Sequence, residues 1–259
     1  MKIVKFQLPP QHEPEPADSS KEQAVLSAIL DQLESGADPT SAVLSTPGVT
    51  EWVAWQLGVG IEHFHRQQRL EIALQCGIAA IVAADQGGWP ERSAANRNSL
   101  AGVMFQIGRT DIARHLCEDA LHIAGPHRHT AYACSRSILG HIAMVEHSPL
   151  EAVCHYDALF RILKRMTEGE AMRRFAETAL TAYKAANDVA GTAWCLAVIE
   201  GEDKARAAWN EVLSRWGAQI TTENAISIVT RLNAFGLNSI AAEIEERFKR
   251  SHQQKENEQ

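Results

Sequence analysis

Apolar residues recur every three or four positions along most of this chain, the period of a helix that buries one face. Val25, Leu26, Ile29, Leu30 and Leu33 form the first stripe, and Gly36 supplies its stop. A short helical piece follows near Pro39 to Leu44. Thr50 reads as the N-cap of EWVAWQL, which ends at Gly58 or Gly60. The next helix runs from about Ile61 to Asp85, is mostly apolar after Leu70, and is broken by Gly87–Gly88. Trp89–Pro90 opens a helix that reaches Gly108, with proline suited to the first helical position. Thr110 is placed to cap its successor, which Gly125–Pro126 stops.

The pattern then predicts a pair from about His129 to Glu146 and from Pro149 to Arg165. Ser148-Pro149-Leu150-Glu151 reads as a capping box for the second of these, and Thr167-Glu168-Gly169-Glu170 repeats it for a helix to about Ala186. Later helices read as about Val189 to Ile199, Asp203 to Trp216, Glu223 to Phe235 and Ser239 to Ser251. The chain divides into a tail (1–20), an N-terminal helical segment (21–88), a repeat region (89–251) and a polar, disordered end (252–259). Within the first tail, Ile3, Val4, Phe6 and Leu8 alternate ahead of prolines at 9, 10, 14 and 16, which forbid a helix. That segment reads either as a disordered tail or as an extended strand that docks on the body or on a partner.

Residues 94–126 carry the most specific pattern: two apolar-striped helices meeting at Gly108, with Ala101, Ala113 and Ala120 where the axes approach. Leu100, Ala101, Gly108, Ala113, Ala120 and Leu121 are spaced in a way that resembles one tetratricopeptide unit, a helix-turn-helix of about 34 residues. A second, partial match joins Leu139–Gly140, Ala152 and Tyr156, with His147 in place of the turn glycine. Looser ones join Ala193, Gly201, Ala205 and Trp209, then Val229, Gly236, Ala241 and Phe248. The anchors Ala113, Ala152, Ala205 and Ala241 are 39, 53 and 36 residues apart, so the repeat is irregular, with the helix before Ala186 as an interruption. The resemblance implies an all-α fold, a right-handed α-α superhelix of antiparallel helix pairs. A compact helical bundle is the alternative, since small residues at helix crossings occur there too.

Composition narrows the function classes. A formal charge of −7 gives no pull toward nucleic acid or an anionic membrane. No stretch approaches a membrane span, and the N-terminus lacks a signal-peptide h-region. Cys76, Cys117, Cys134, Cys154 and Cys195 are scattered singly without a CxxC pair, as expected for reduced thiols in the cytoplasm. No hydrolase, nucleotide-binding or zinc-protease motif is found, so neither catalytic residue nor cofactor is assigned.

What remains is binding. By the tetratricopeptide resemblance, each unit's first helix lines a concave face that holds an extended peptide. That implies partner-binding roles for Asn98, Gly102, Phe105 and Gln106 on one unit and for Ser137, His141 and Met144 on the next. The basic residues with which some family members grip a C-terminal carboxylate are missing from these positions. The expectation is a non-catalytic adaptor or chaperone, of the size and acidity of bacterial secretion-system accessories. The alternative is a regulatory α-domain sensing a small ligand between helices near Trp52, Trp55 and Phe64. Other candidates carry less: His115, Glu118 and His122 share a helix face. Arg161, Lys164, Arg165, Arg173 and Arg174 form a basic cluster interrupted by Glu168 and Glu170.

Overall fold

A computed structural model of the protein describes residues 14–16, 18–125, 129–166, 169–216 and 221–257. Among them there are 13 helices and no strand. The first four are α1 (Ser19–Glu34), α2 (Pro39–Ser45), α3 (Glu51–Arg66) and α4 (Leu70–Gln86). Then come α5 (Pro90–Gln106), α6 (Thr110–Ala124), α7 (His129–Val145) and α8 (Pro149–Met166). The last five are α9 (Glu170–Ala185), α10 (Val189–Glu200), α11 (Glu202–Trp216), α12 (Thr222–Phe235) and α13 (Asn238–Asn257). Neighbouring helices pack in pairs, giving the all-α class the sequence pattern predicts. No described helix is long and apolar enough to cross a membrane. The alternating segment at Ile3 to Leu8 and the Thr167–Glu168 half of the second capping box lie outside the described residues.

Helix starts follow local chemistry. Asp18, Asp38, Thr50, Asp188 and Thr221 each accept a backbone N–H from the first turn of the helix they precede. Thr110 differs from expectation: it is the first residue of α6, and Arg109 occupies the cap without a side-chain bond. The last helix continues to Asn257, past Ser251 where the apolar stripe ends.

The largest departure concerns Gly58 and Gly60. They read as stops, yet α3 runs through both to Arg66, and the chain turns at Gln67–Arg69 instead. Gly58 is small because of packing: a Cβ there would fall on Asn96 Oδ1. The turn itself is made by Gln68 in the left-handed region, φ +62°. Gln68 N–H donates to His65 O (3.0 Å) and Arg69 N–H reaches back to Phe64 O (3.0 Å). This is the usual way a helix satisfies its last carbonyls before reversing. Gly108 (φ +82°) and Asn187 (φ +56°) carry the same bond pattern, and His147 (φ +58°) carries its first half.

These four turn residues recur at intervals of 40, 39 and 40. The helix pairs α3–α4, α5–α6, α7–α8 and α9–α10 are therefore regular in sequence, with a period longer than 34. Small residues follow the same count. Ala54, Ala94 and Ala133 stand 14 residues before their turn, Ala73, Ala113 and Ala152 five after it, and all six are buried. On this count α9 is the first helix of the fourth pair, where the sequence reading took it for an interruption.

The chain forms two compact units. The first holds residues through His147 together with Cys154–Arg165; the second holds Ser148–Val153 and the residues from Met166 onward. In the first, one core joins α1 to α5, from Ile29 and Leu33 through Leu57, Ile61, Cys76 and Ala80 to Leu100 and Val103, without a break at Gly88. A second cluster joins α5, α6 and α7 through Ala101, Phe105, Ala113, Cys117, Leu139 and Ile142. Tyr156 fills the place a side chain at Gly140 would need. In the second unit, Trp194 stacks on Phe235 (5.4 Å between centroids) and against Phe175 (5.6 Å). Asp188, besides capping α10, receives Arg231, whose guanidinium lies over the Phe235 ring. On α13, Glu243–Arg247 (2.7 Å), Glu245–Lys249 (2.9 Å) and Glu246–Arg250 form the i,i+4 pairs expected of a solvent-facing helix.

Candidate functional site

The first helices of successive pairs touch in order, α3 to α5 to α7. Buried amides key them together. Asn96 Nδ2 donates to Ala80 O (2.9 Å) and to Ala54 O (3.3 Å), tying α5 back to α4 and α3. Two residues on, Asn98 Nδ2 donates to Ala131 O (2.8 Å) while Ser135 Oγ donates to Asn98 Oδ1 (2.7 Å), tying α5 forward to α7. A buried amide left without such partners is costly, so these bonds set the register of each helix against the next.

Between α3 and α5 this packing leaves an open groove of about 330 Å³. One wall is a stripe of α3: Trp55, Gly58, Val59, Glu62, His63 and Arg66. The other is a stripe of α5 at helical spacing: Arg92, Ala95, Asn96 and Ser99. Val59 is 46% exposed, a large apolar side chain facing solvent on this wall. Arg92 is buried, with its Nε 3.6 Å from Glu51 Oε1. Arg66 is exposed and binds Glu62 (2.9 Å). Burial pushes the Arg92 guanidinium below its usual pKa, against the opposing pull of Glu51.

The residues expected to bind a partner fall in two groups. Asn98, Phe105, Ser137 and His141 are brought together but inside the helix packing, at 6%, 8%, 3% and 1% exposure. His141 stands edge-on to Phe105 (6.3 Å) and to Tyr156 (6.1 Å), and its Nδ1–H donates to Ser137 O (2.7 Å). Burial holds the imidazole pKa below its ordinary 6.5, against the opposing pull of that bond. Gln106 is exposed, Met144 and Gly102 half-buried, and nothing stands within 4 Å of where a Gly102 Cβ would be.

Register explains the division. Asn98, Gly102 and Gln106 stand 40 residues after Gly58, Glu62 and Arg66, which line the groove. Ser137 and His141 stand a further 39 residues on, at the positions of Asn98 and Gly102. Between α5 and α7, Asn98 is tied to Ala131 and Ser135, and His141 stands against Phe105. Between α3 and α5, Gly58 gives its space to the Asn96 amide, and both line the groove. The signal that could have found α3 was Trp55-x₃-Val59-x₂-Glu62, a stripe hidden by reading Gly58 as an end.

Of the aromatic residues proposed around a ligand, Trp55 lines the groove, while Trp52 and Phe64 pack against the core of the first unit. Among the described residues no group of three or more His, Cys, Asp or Glu could hold a metal ion. His115 and Glu118 approach to 3.7 Å on exposed surface. In the basic cluster, Arg173 pairs with Glu177 (3.3 Å), Arg174 with Glu170 (3.0 Å), and Lys164 lies over Phe160. The Arg165 side chain lies outside the described residues. Compared with known proteins, the chain matches no family model and no curated protein.

Proposed function

We propose that this protein is a non-catalytic adaptor that holds a segment of another protein along the groove between α3 and α5. The observation that carries this reading is the groove's construction: two facing helical stripes, with Trp55, Val59 and Ala95 offering apolar surface and the Asn96 bonds fixing the walls. A preformed groove costs a ligand little reorganisation, which favours affinity. Helical-repeat proteins commonly use such surfaces. The five free cysteines fit a reducing cytoplasm, the compartment assigned in this reading.

The test is Gly102→Trp. Side chains on a helix lean toward its N-terminus, so the indole covers the Ser99 end of the groove. The site is helical and has open space at the Cβ, so the fold tolerates the change. Cross-linking from a photoreactive residue at position 59 should trap one partner in a native extract with the parent chain and lose it with the variant. Equal trapping by both chains would refute the groove as the binding surface.

A second reading is that the groove senses a small ligand, and its volume favours this, being within the range of ligand pockets, about 300–1,000 Å³. In that case a metabolite raises the melting temperature of the parent chain and not of Gly102→Trp, and no protein is trapped at position 59.

A further inference from the structure

We infer that the α3–α5 groove is filled, until a partner arrives, by this chain's own segment Ile3 to Leu8, which the partner must displace. This rests on the groove being the binding surface and adds how access to it is controlled. The segment lies outside the described residues, but the point where it joins the body is fixed. Residues 14–16 lead toward α1, whose N-cap is Asp18. One turn on, the buried Glu22 accepts a hydrogen bond from the Thr50 hydroxyl (2.5 Å), which pins the start of α1 to the start of α3. Beside Thr50, Glu51 reaches Arg92 (3.6 Å), and Trp55 and Arg92 are where the two walls of the groove begin. The chain therefore enters the body at the Trp55–Arg92 end of the groove.

Reach is ample. Leu8 precedes Asp18 by ten residues, and an extended run of that length spans about 30 Å. Trp55 stands five residues beyond Thr50, about 7–8 Å along the helix. A tether this short gives an effective concentration on the order of millimolar, so contacts too weak to hold a free peptide still fill the groove.

Spacing matches as well. Side chains alternate along an extended segment, which sets Val4, Phe6 and Leu8 on one side and Ile3, Lys5 and Gln7 on the other. The apolar row recurs about every 6.6–6.8 Å. On the α3 wall Trp55, Val59 and His63 recur every four residues, about 6 Å. Entering from the Trp55 end, the segment lays Leu8 on Trp55, Phe6 on Val59 and Val4 on His63, with Lys5 and Gln7 toward solvent. Val59, 46% exposed among the described residues, is then covered.

The test uses the full chain with a photoreactive residue at position 59. Purified alone, it should cross-link within one chain to residues 3–8, mapped by mass spectrometry. Replacing Phe6→Glu together with Leu8→Glu leaves every described contact in place and should abolish that product. A fluorescent synthetic peptide of residues 1–12 should then bind the double variant, and bind the parent chain about tenfold or more weakly, because the parent groove is already filled. Adding Gly102→Trp to the double variant should remove the peptide binding.

A parent chain that gives no cross-link within itself, or that binds the peptide as tightly as the double variant does, overturns the self-filled groove. A product that joins two copies of the chain overturns it too. In each of these cases a protein trapped from extract at position 59, and lost with Gly102→Trp, leaves the groove standing as the binding surface. Trapping indifferent to Gly102→Trp refutes the groove itself.

Discussion

The contact between Gly58 and Asn96 makes a prediction whose sign depends on a second residue. Gly58 lies inside α3, where replacing glycine by alanine ordinarily stabilises a helix by about 0.5–1 kcal/mol. Here the added methyl group lands on Asn96 Oδ1. The end of a free side chain would swing aside at little cost. Asn96 is buried and its amide is held by Ala54 O and Ala80 O, so moving it strains or breaks both bonds. At about 1 kcal/mol for each hydrogen bond, and more if the buried amide is left unsatisfied, the loss exceeds the helix gain. Gly58→Ala should destabilise the first unit by about 1–3 kcal/mol. In an Asn96→Ala background the obstruction is gone, and the same substitution should stabilise by about 0.5–1 kcal/mol. Urea unfolding followed by far-UV circular dichroism and by tryptophan fluorescence closes the cycle, with a coupling energy of about 1.5–4 kcal/mol expected. A Gly58→Ala chain more stable than the parent would refute the argument.

The other glycines should separate by what faces them. Gly102→Ala, with open space at the Cβ, should raise stability by about 0.5–1 kcal/mol, whereas Gly140→Ala, driven into the buried Tyr156 ring, should lower it by about 2–3 kcal/mol; matching shifts in the two melts would contradict the packing described. At the turns, Gln68→Gly should stabilise by about 0.5–1 kcal/mol and Gly108→Ala should cost about 1 kcal/mol, because both positions hold left-handed backbone. His141 sets a pH dependence. Its folded pKa is below the unfolded 6.5, so the unfolded chain binds the extra proton first, and stability falls as pH drops below about 6.5. Denaturant midpoints of His141→Gln should depend less on pH over that window than those of the parent chain; an unchanged slope would remove His141 from the explanation.

Helix existence was legible in this chain, and so were most helix starts, because an apolar stripe and a capping Asp or Thr are local signals. What resisted reading was the meaning of glycine. Gly58 and Gly60 are small so that a neighbouring helix can approach, and nothing in a single sequence separates that from a stop. Conversely, Gln68, His147 and Asn187 take the left-handed turn position without being glycine, so three of the four turns gave no glycine signal. The period of about 40 was therefore masked, α3 and α4 were divided in the wrong place, and α9 looked superfluous. The candidate positions Asn98, Gly102 and Gln106 on α5 are the equivalents, 40 residues on, of Gly58, Glu62 and Arg66 in the α3–α5 groove. The roles of Asn98 and His141 as buried connectors depend on neighbours 33 and 15 residues away, Ala131 and Tyr156, which no local pattern reports.

The two asparagines of α5 have a mechanical consequence. Asn96 is fastened to the helices before it and Asn98 to the helix after it, and residues two apart on a helix point about 160° away from each other. Any roll of α5 about its own axis that improved one attachment would loosen the other. The helix therefore behaves as a keyed shaft between two gears. A ligand that wedges Val59 away from Ser99 applies torque to α5, and that torque is delivered to Ala131 and Ser135 on α7, on the side away from the groove. Amide exchange in α7 would then respond to a ligand that never touches it, and would fall silent once Asn98 is replaced by alanine.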